Sequence, residues 1–143
     1  MLDIAEIADA DIEAVVDLWA RAGLTRPWND PRDDIAFARS SGHGTVLVGR
    51  EEGAIVAGVM VGHDGHRGAV YYVGVAPDTA GRGHGRAIMA AAEAWLKARG
   101  VWKLNLLVRA GNEKVIGFYE TLGFNVQDRI AMEKWLDESR RPK

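Results

Sequence analysis

The segment Val73-Gly-Val-Ala-Pro-Asp-Thr-Ala-Gly-Arg-Gly-His-Gly-Arg-Ala87 constrains this chain more than any other. An apolar strand ends at Pro77, a short polar turn follows, and Gly81, Gly83 and Gly85 lead into an alanine-rich helix. The glycines alternate with Arg82, His84 and Arg86. A strand must therefore run into a helix through backbone that has no Cβ to keep a ligand away. N–H groups at a helix start are unpaired and carry partial positive charge, so such a turn is a ready anion site. Two arginines can add charge-assisted hydrogen bonds to phosphate oxygens. Pyrophosphate is the ligand expected, and a plain strand-to-helix turn is the competing explanation.

Two better-known phosphate loops are excluded. A Walker A loop would continue into Gly-Lys-[Ser/Thr], which is absent. A dinucleotide fingerprint needs Gly-x-Gly-x-x-Gly near the start of a βαβ unit and an acid about 20 residues on. Here the turn lies past the middle of the chain, after several strands.

Composition narrows the class further. The 143 residues carry a net charge of −2, and the isoelectric point of about 6.1 argues against a general nucleic-acid binder, which shows a basic face. The absence of cysteine removes a disulfide framework, a thiol nucleophile and a cysteine-ligated zinc site. The acidic start Met1-Leu-Asp-Ile-Ala-Glu6 lacks the basic and apolar regions of a signal peptide. No apolar run approaches the roughly 18 residues of a membrane span. A cytoplasmic protein with neither nucleic-acid nor membrane partner is the expectation.

Periodicity places the elements. Leu2 to Ile7 alternates as a strand, and Asp9 is positioned to cap a helix from Ala10 to Ala22. That helix has the stripe Ile12, Val15, Val16, Trp19 and a stop at Gly23. Pro31 suits the first position of a second helix reaching Ser41. Thr45 to Arg50 and Ala54 to Val61 read as a hairpin joined at Glu51-Glu-Gly53, and Ala69 to Val75 as the next strand. The longest helix runs from Gly83 to Arg99, with Gly100 as its stop. Trp102 to Val108 reads as a strand, and Asn112 to Leu122 as a helix closed by Gly123. Phe124 to Val126 and Ile130 to Trp135 read as two final strands, ahead of a frayed polar tail. Trp19, Trp95 and Trp102 are assigned to the core. No repeat or internal boundary interrupts the chain, so one α/β domain with a mixed sheet spans 1–143, neither doubly wound nor a barrel.

This order, together with two motifs, resembles the GNAT family of acetyl-CoA-dependent N-acyltransferases over nearly the whole chain. Val73-Gly-Val75 and Ala76-Pro-Asp78 are similar to the family's central strand and its exit, and Arg82-Gly-His-Gly-Arg-Ala87 to its pyrophosphate loop. Asn112 and Tyr119, followed by Leu122-Gly-Phe124, resemble the second signature, on the last helix. More narrowly, Leu24-Thr-Arg-Pro-Trp-Asn-Asp-Pro31 and Asp64-Gly-His-Arg67 resemble the bacterial YpeA-type proteins.

The resemblance implies a GNAT-like fold, a splayed central sheet flanked by helices, and roles for named residues. Gly81, Arg82, Gly83, His84, Gly85 and Arg86 would hold the pyrophosphate of acetyl-CoA, the co-substrate. Two parallel strands, Val73 to Val75 and Leu104 to Val108, would part so that the pantetheine arm pairs with the gap as an added strand does. Gly74 would mark the bulge that opens it. The backbones of Val73 and Val75 would bind the arm, and the N–H of Val75 would polarise the thioester. Tyr119 would protonate the departing thiolate; its competing reading is a half-buried packing residue. Asn112 either caps its helix or reaches the arm.

Some family features are missing. Ala80 stands where a Gln or Arg often precedes the loop. Leu107 stands where some members carry a basic Glu, so no general base is assigned. Trp28 and Asp30 lie in the segment that usually walls the acceptor. Asp64 and His66 occupy a loop where acceptors often bind, against the plainer reading of a solvated loop, and no metal site matches their spacing. The implied activity is transfer of acetyl to a primary amine by direct attack, since no cysteine can form an acyl-enzyme. A non-catalytic acetyl-CoA sensor and a CoA-free interaction domain are the alternatives. Oligomeric state stays open, a homodimer among the options.

Overall fold

Glu52 and Gly53 both take positive φ, 51° and 83°, as the two central residues of a tight hairpin turn require. They join β2 (Gly44–Glu51) to β3 (Ala54–His63). In the computed structural model, which describes residues 2–142, these strands form the middle of a five-stranded sheet. β1 (Asp3–Glu6) lies outside β2, and β4 (Gly68–Val75) follows β3, all antiparallel. β5 (Leu104–Asn105) closes the order β1-β2-β3-β4-β5 and runs parallel to β4. The chain is thus a mixed α/β fold, as its element order predicts.

The first helix starts later than its sequence pattern predicts. Asp9–Asp11 forms a 3-10 turn, and α1 is Ile12–Arg21. Asp9 caps nothing: its carboxylate pairs with Arg39 at 2.7 Å. α2 is Pro31–Ser40, and α3 is His84–Lys97. Val15, Leu18 and Trp19 of α1 and Ile35 of α2 pack with Val46, Val48 and Val56 in one core. α3 turns Ile88, Met89, Ala92 and Leu96 inward.

A bulge decides which face of β4 each helix covers. Gly58 pairs with Gly74, but Met60 pairs with Tyr71, so two residues of β4 stand opposite one of β3. The extra residue lies at Tyr72–Val73, just ahead of Gly74, and Tyr72 takes a φ of 55°. Gly68 and Gly74, six apart, would share a face in a regular strand. The inserted residue reverses one of them. A Cβ on Gly68 would meet Leu96 of α3 at 2.7 Å, whereas one on Gly74 would meet Trp19 of α1 at 3.1 Å. α1 and α3 therefore cover opposite faces.

Met1–Leu106 and Leu107–Lys143 form two compact units. In the second, α4 is Glu113–Thr121, and Glu138–Arg140 is a 3-10 turn. Phe124 to Val126 and Ile130 to Trp135 form no strand among the described residues, contrary to their apolar pattern. A strand needs a neighbour's backbone groups, and no other strand occurs within this unit. Val126, Ile130 and Met132 are exposed. The strand expected over Trp102 to Val108 shortens to Leu104–Asn105. Trp102, assigned to the core, is 75% exposed, with the Arg67 guanidinium 4.3 Å from its ring centre. No helix among the described residues is long and apolar enough to cross a membrane.

Candidate functional site: an uncapped helix start beside an open strand edge

β4 leaves the sheet through Ala76 into a 3-10 turn, Pro77–Thr79. The buried Thr79 hydroxyl ties that turn by donating to the Ala76 carbonyl at 3.0 Å. Gly81 and Gly83 follow with φ of 85° and 80°, a region where a side chain is strained. Nothing lies within 4 Å of where their Cβ atoms would be, so the turn is open at both positions. Gly83 is the N-cap of α3 and supplies no side chain to it. By contrast, Asp30 caps α2 through the Arg32 N–H, and Asn112 caps α4 through the Val115 N–H. The first helical bond of α3 runs from Ala87 N–H to Gly83 O. The amides of His84, Gly85 and Arg86 precede it and have no partner in the helix. No acid lies in this first turn to neutralise the positive end.

Glu51, which sequence reasoning passed over as a hairpin residue, reaches this turn. Its carboxylate accepts from Arg82 Nη1. Its other oxygen lies 3.0 Å from His84 Nε2. The buried Nε2 makes no hydrogen bond among the described residues, so the contact is one of proximity. His84 is 7% exposed, so it is part of the packed base of the turn rather than a free loop residue. Arg86 is exposed and has no ion partner among the described residues.

The strand that feeds this turn has an open edge. On its β5 side β4 pairs only at Gly68 with Leu104 and Ala69 with Asn105. From Val70 to Val75 no strand covers that side within this unit. Val73 and Val75 lie in the open stretch, and the bulge sits at its middle. Tyr72 was not singled out by its sequence context, yet it anchors the bulge. Its ring stacks on Trp19, 4.2 Å between centres. Its hydroxyl donates to Asp34 Oδ2 at 2.7 Å and accepts from Asn29 Nδ2 at 2.8 Å. Burial, then the hydrogen bond to Asp34, hold this phenol far above the ordinary range.

The acceptor-side candidates separate in space. Trp28 is 53% exposed, beside the Asn29 that reaches Tyr72. Asp30 is occupied: Oδ1 accepts from the Arg32 N–H at 2.9 Å and lies 3.4 Å from Arg32 Nη1. Asp64 closes its own loop, accepting from the N–H groups of Arg67 and His66 at 2.7 and 2.8 Å. Those two bonds hold its carboxyl below the usual range. The His66 ring is 3.3 Å from Arg67 Nη1. Asp64 and His66 precede the start of β4, and the glycine turn follows its end. A strand of that length spans roughly 25 Å, so these two residues and the glycine turn belong to different ends of the sheet.

In the second unit Asn112 and Tyr119 share one face of α4, two turns apart. The Asn112 side-chain Oδ1 accepts from Val115 N–H at 3.4 Å, which leaves the side-chain Nδ2 free of the cap. Gly123 has a φ of 94°. Gly123 N–H reaches Glu120 O and Phe124 N–H reaches Tyr119 O, a Schellman ending. That ending presses the Phe124 ring edge-to-face on Tyr119, 5.5 Å between centres, and Phe118 also meets Tyr119 edge-to-face at 5.1 Å. Burial pushes the Tyr119 phenol up.

Comparison with known proteins agrees with this arrangement. The profile of the acetyltransferase (GNAT) family matches residues 12–124. An acetyltransferase of Yersinia enterocolitica is 45% identical over 135 residues, 94% of this chain and 96% of its own. The ribosomal-protein-S18-alanine N-acetyltransferase of Escherichia coli superposes with a TM-score of 0.73 at 29% identity, over 87% of this chain and 78% of that one. An N-acetyltransferase of Thermoplasma acidophilum, solved with coenzyme A, shares the fold with a TM-score of 0.78 at 16% identity, over 91% and 93% of the two chains. Matched over most of its length by a family profile and by a relative at this identity, the chain belongs to the acetyltransferase (GNAT) family.

Proposed function

We propose that one N-acetyltransferase domain spanning 1–143 transfers acetyl from acetyl-CoA to a primary amine. The observation that carries the reading is the start of α3. A helix end with no side-chain cap, no acid of its own and two left-handed glycines lies directly off a strand with an open edge. Pyrophosphate would lie on the amides of His84, Gly85 and Arg86, with Gly81 and Gly83 allowing the approach and Arg82 and Arg86 adding charge. The pantetheine arm would pair with the edge of β4 at Val73 and Val75, and the family resemblance alone assigns the amide of Asn112 to the arm.

In the reaction the amine nitrogen attacks the thioester carbonyl carbon. The oxyanion that forms is held by the Val75 N–H, and the C–S bond then breaks. Tyr119 gives its proton to the departing thiolate, and the attacking nitrogen loses one to water. A phenol above its ordinary value keeps that proton at neutral pH, at some cost in driving force. Leu107 cannot serve as a base, so the rare neutral amine reacts and the rate climbs toward the amine's own pKa. A cytoplasmic location is supported by the cysteine-free composition.

Calorimetry with acetyl-CoA tests binding, and thiol release with a panel of amines tests turnover. Binding without turnover for any amine would favour the sensor. Absence of binding would remove both enzyme and sensor.

A further inference from the structure

Asp34 is half-buried in the first turn of α2, and no basic side chain pairs with it among the described residues. Its Oδ2 takes both available hydrogen bonds, from the Tyr72 hydroxyl at 2.7 Å and from the Asn29 amide. Oδ1 has no hydrogen-bond partner among the described residues. Nearby carboxylates differ: Glu13 and Asp30 both meet Arg32, and Asp9 meets Arg39. A partly desolvated carboxylate that is oriented by two neutral donors and lacks a counter-charge favours a cation beside it.

Its position is equally specific. Tyr72 supplies the hydroxyl from the bulge of β4, in the stretch whose other side is open. The Tyr72 ring cannot swing away, since it stacks on a fully buried Trp19. Asn29 lies in the loop before α2, next to the exposed Trp28. Asp34 is thus fixed to the strand that would carry the thioester, while Asp30 serves a helix cap and Asp64 a loop.

We infer that Asp34 is the residue that binds the acceptor's cationic amine, with Tyr72 and Asn29 positioning its carboxylate. The inference rests on the acetyltransferase reading above and names its acceptor as an amine carrying positive charge. Asp34 holds the cation; proton removal stays with water, since an alkyl amine of ordinary pKa about 10 reacts through its rare neutral form.

The test uses 1,4-diaminobutane as acceptor at saturating acetyl-CoA, with wild type, Asp34→Asn and Asp33→Asn. Asparagine keeps the shape and still accepts from Tyr72, so folding is preserved. Asp34→Asn is expected to raise the KM for the diamine by about ten- to a hundredfold. The kcat and the calorimetric affinity for acetyl-CoA should stay within about twofold, and Asp33→Asn should match wild type. The wild-type KM should also rise with added salt, a dependence lost in Asp34→Asn. An unchanged KM overturns the inference. So does a KM change accompanied by an equal loss of acetyl-CoA affinity, which would mark a structural tie. Wild type that binds acetyl-CoA but shows neither turnover nor calorimetric binding of the diamine overturns it as well. Wild type that fails to bind acetyl-CoA refutes the acetyltransferase reading instead.

Discussion

Tyr119 keeps its proton because α4 and its ending bury it against Phe118 and Phe124. Burial disfavours the phenolate, so the group titrates above its ordinary 10.0 and is a filled proton donor at every lower pH. If it protonates the thiolate, Tyr119→Phe should lower turnover by about 10²- to 10⁴-fold and leave acetyl-CoA affinity nearly unchanged. Wild-type rate should then show no alkaline fall from this group below pH 10.0. A fall near neutral pH that disappears in Tyr119→Phe would contradict the role. The two loop arginines should not be equal. Arg82 already pairs with Glu51, whereas Arg86 has no carboxylate partner among the described residues. Arg86→Ala should therefore weaken CoA binding more than Arg82→Ala, by calorimetry, because Arg82 must share or leave a partner that Arg86 lacks. Both arginines stand out in the sequence by their place in the glycine turn, and Tyr119 by the resemblance to the family's second signature. Glu51, Asp34 and Tyr72 are not, since their partners come from other elements and one of them depends on a bulge.

Helix endings are the elements that sequence reveals best. Gly23, Gly100 and Gly123 each occupy a left-handed position after a helix. Each is followed by an amide bonded back over the last turn: Leu24 to Trp19, Val101 to Leu96 and Phe124 to Tyr119. One residue type meets a local backbone demand, so position alone suffices. Strands are harder, because a strand exists only with its neighbour. Phe124 to Val126 and Ile130 to Trp135 have the apolar content but no partner strand in their unit. The bulge is harder still: Gly74 suggests one, yet Gly74 keeps its partner and the inserted residue lies just before it. Gly74 and Gly58 are glycine for a different reason, since they pair across β3 and β4 beneath Trp19. A Cβ on Gly74 would lie 3.0 Å from Leu24 and 3.1 Å from Trp19. Trp19 is fully buried and stacked, so it cannot yield. Gly74→Ala should thus destabilise by about 1–3 kcal/mol, measured by chemical denaturation. A neutral result would mean that the indole has room to move.

At the scale of the whole molecule, the chain's mild acidity and the positive end of α3 are separate properties. A net charge of −2 repels an anionic ligand only weakly at long range, so CoA affinity must come from the loop itself. Ligand binding to the folded state alone raises stability by about 2.7 kcal/mol at 100 times the dissociation constant. In a chain of this size that corresponds to roughly 5–10 °C in Tm. Wild type should show such a shift with acetyl-CoA and with CoA. Gly83→Val should lose most of it, for a reason that differs from Gly74→Ala. Around Gly83 there is open space, so valine clashes with no protein atom. Instead it strains a φ of 80° and fills the side from which pyrophosphate would approach. The strain lowers the Tm of the ligand-free variant by itself. The informative quantity is therefore the shift on adding ligand, taken relative to each protein's own ligand-free Tm. A folded Gly83→Val that keeps the full shift would place the CoA site away from the start of α3.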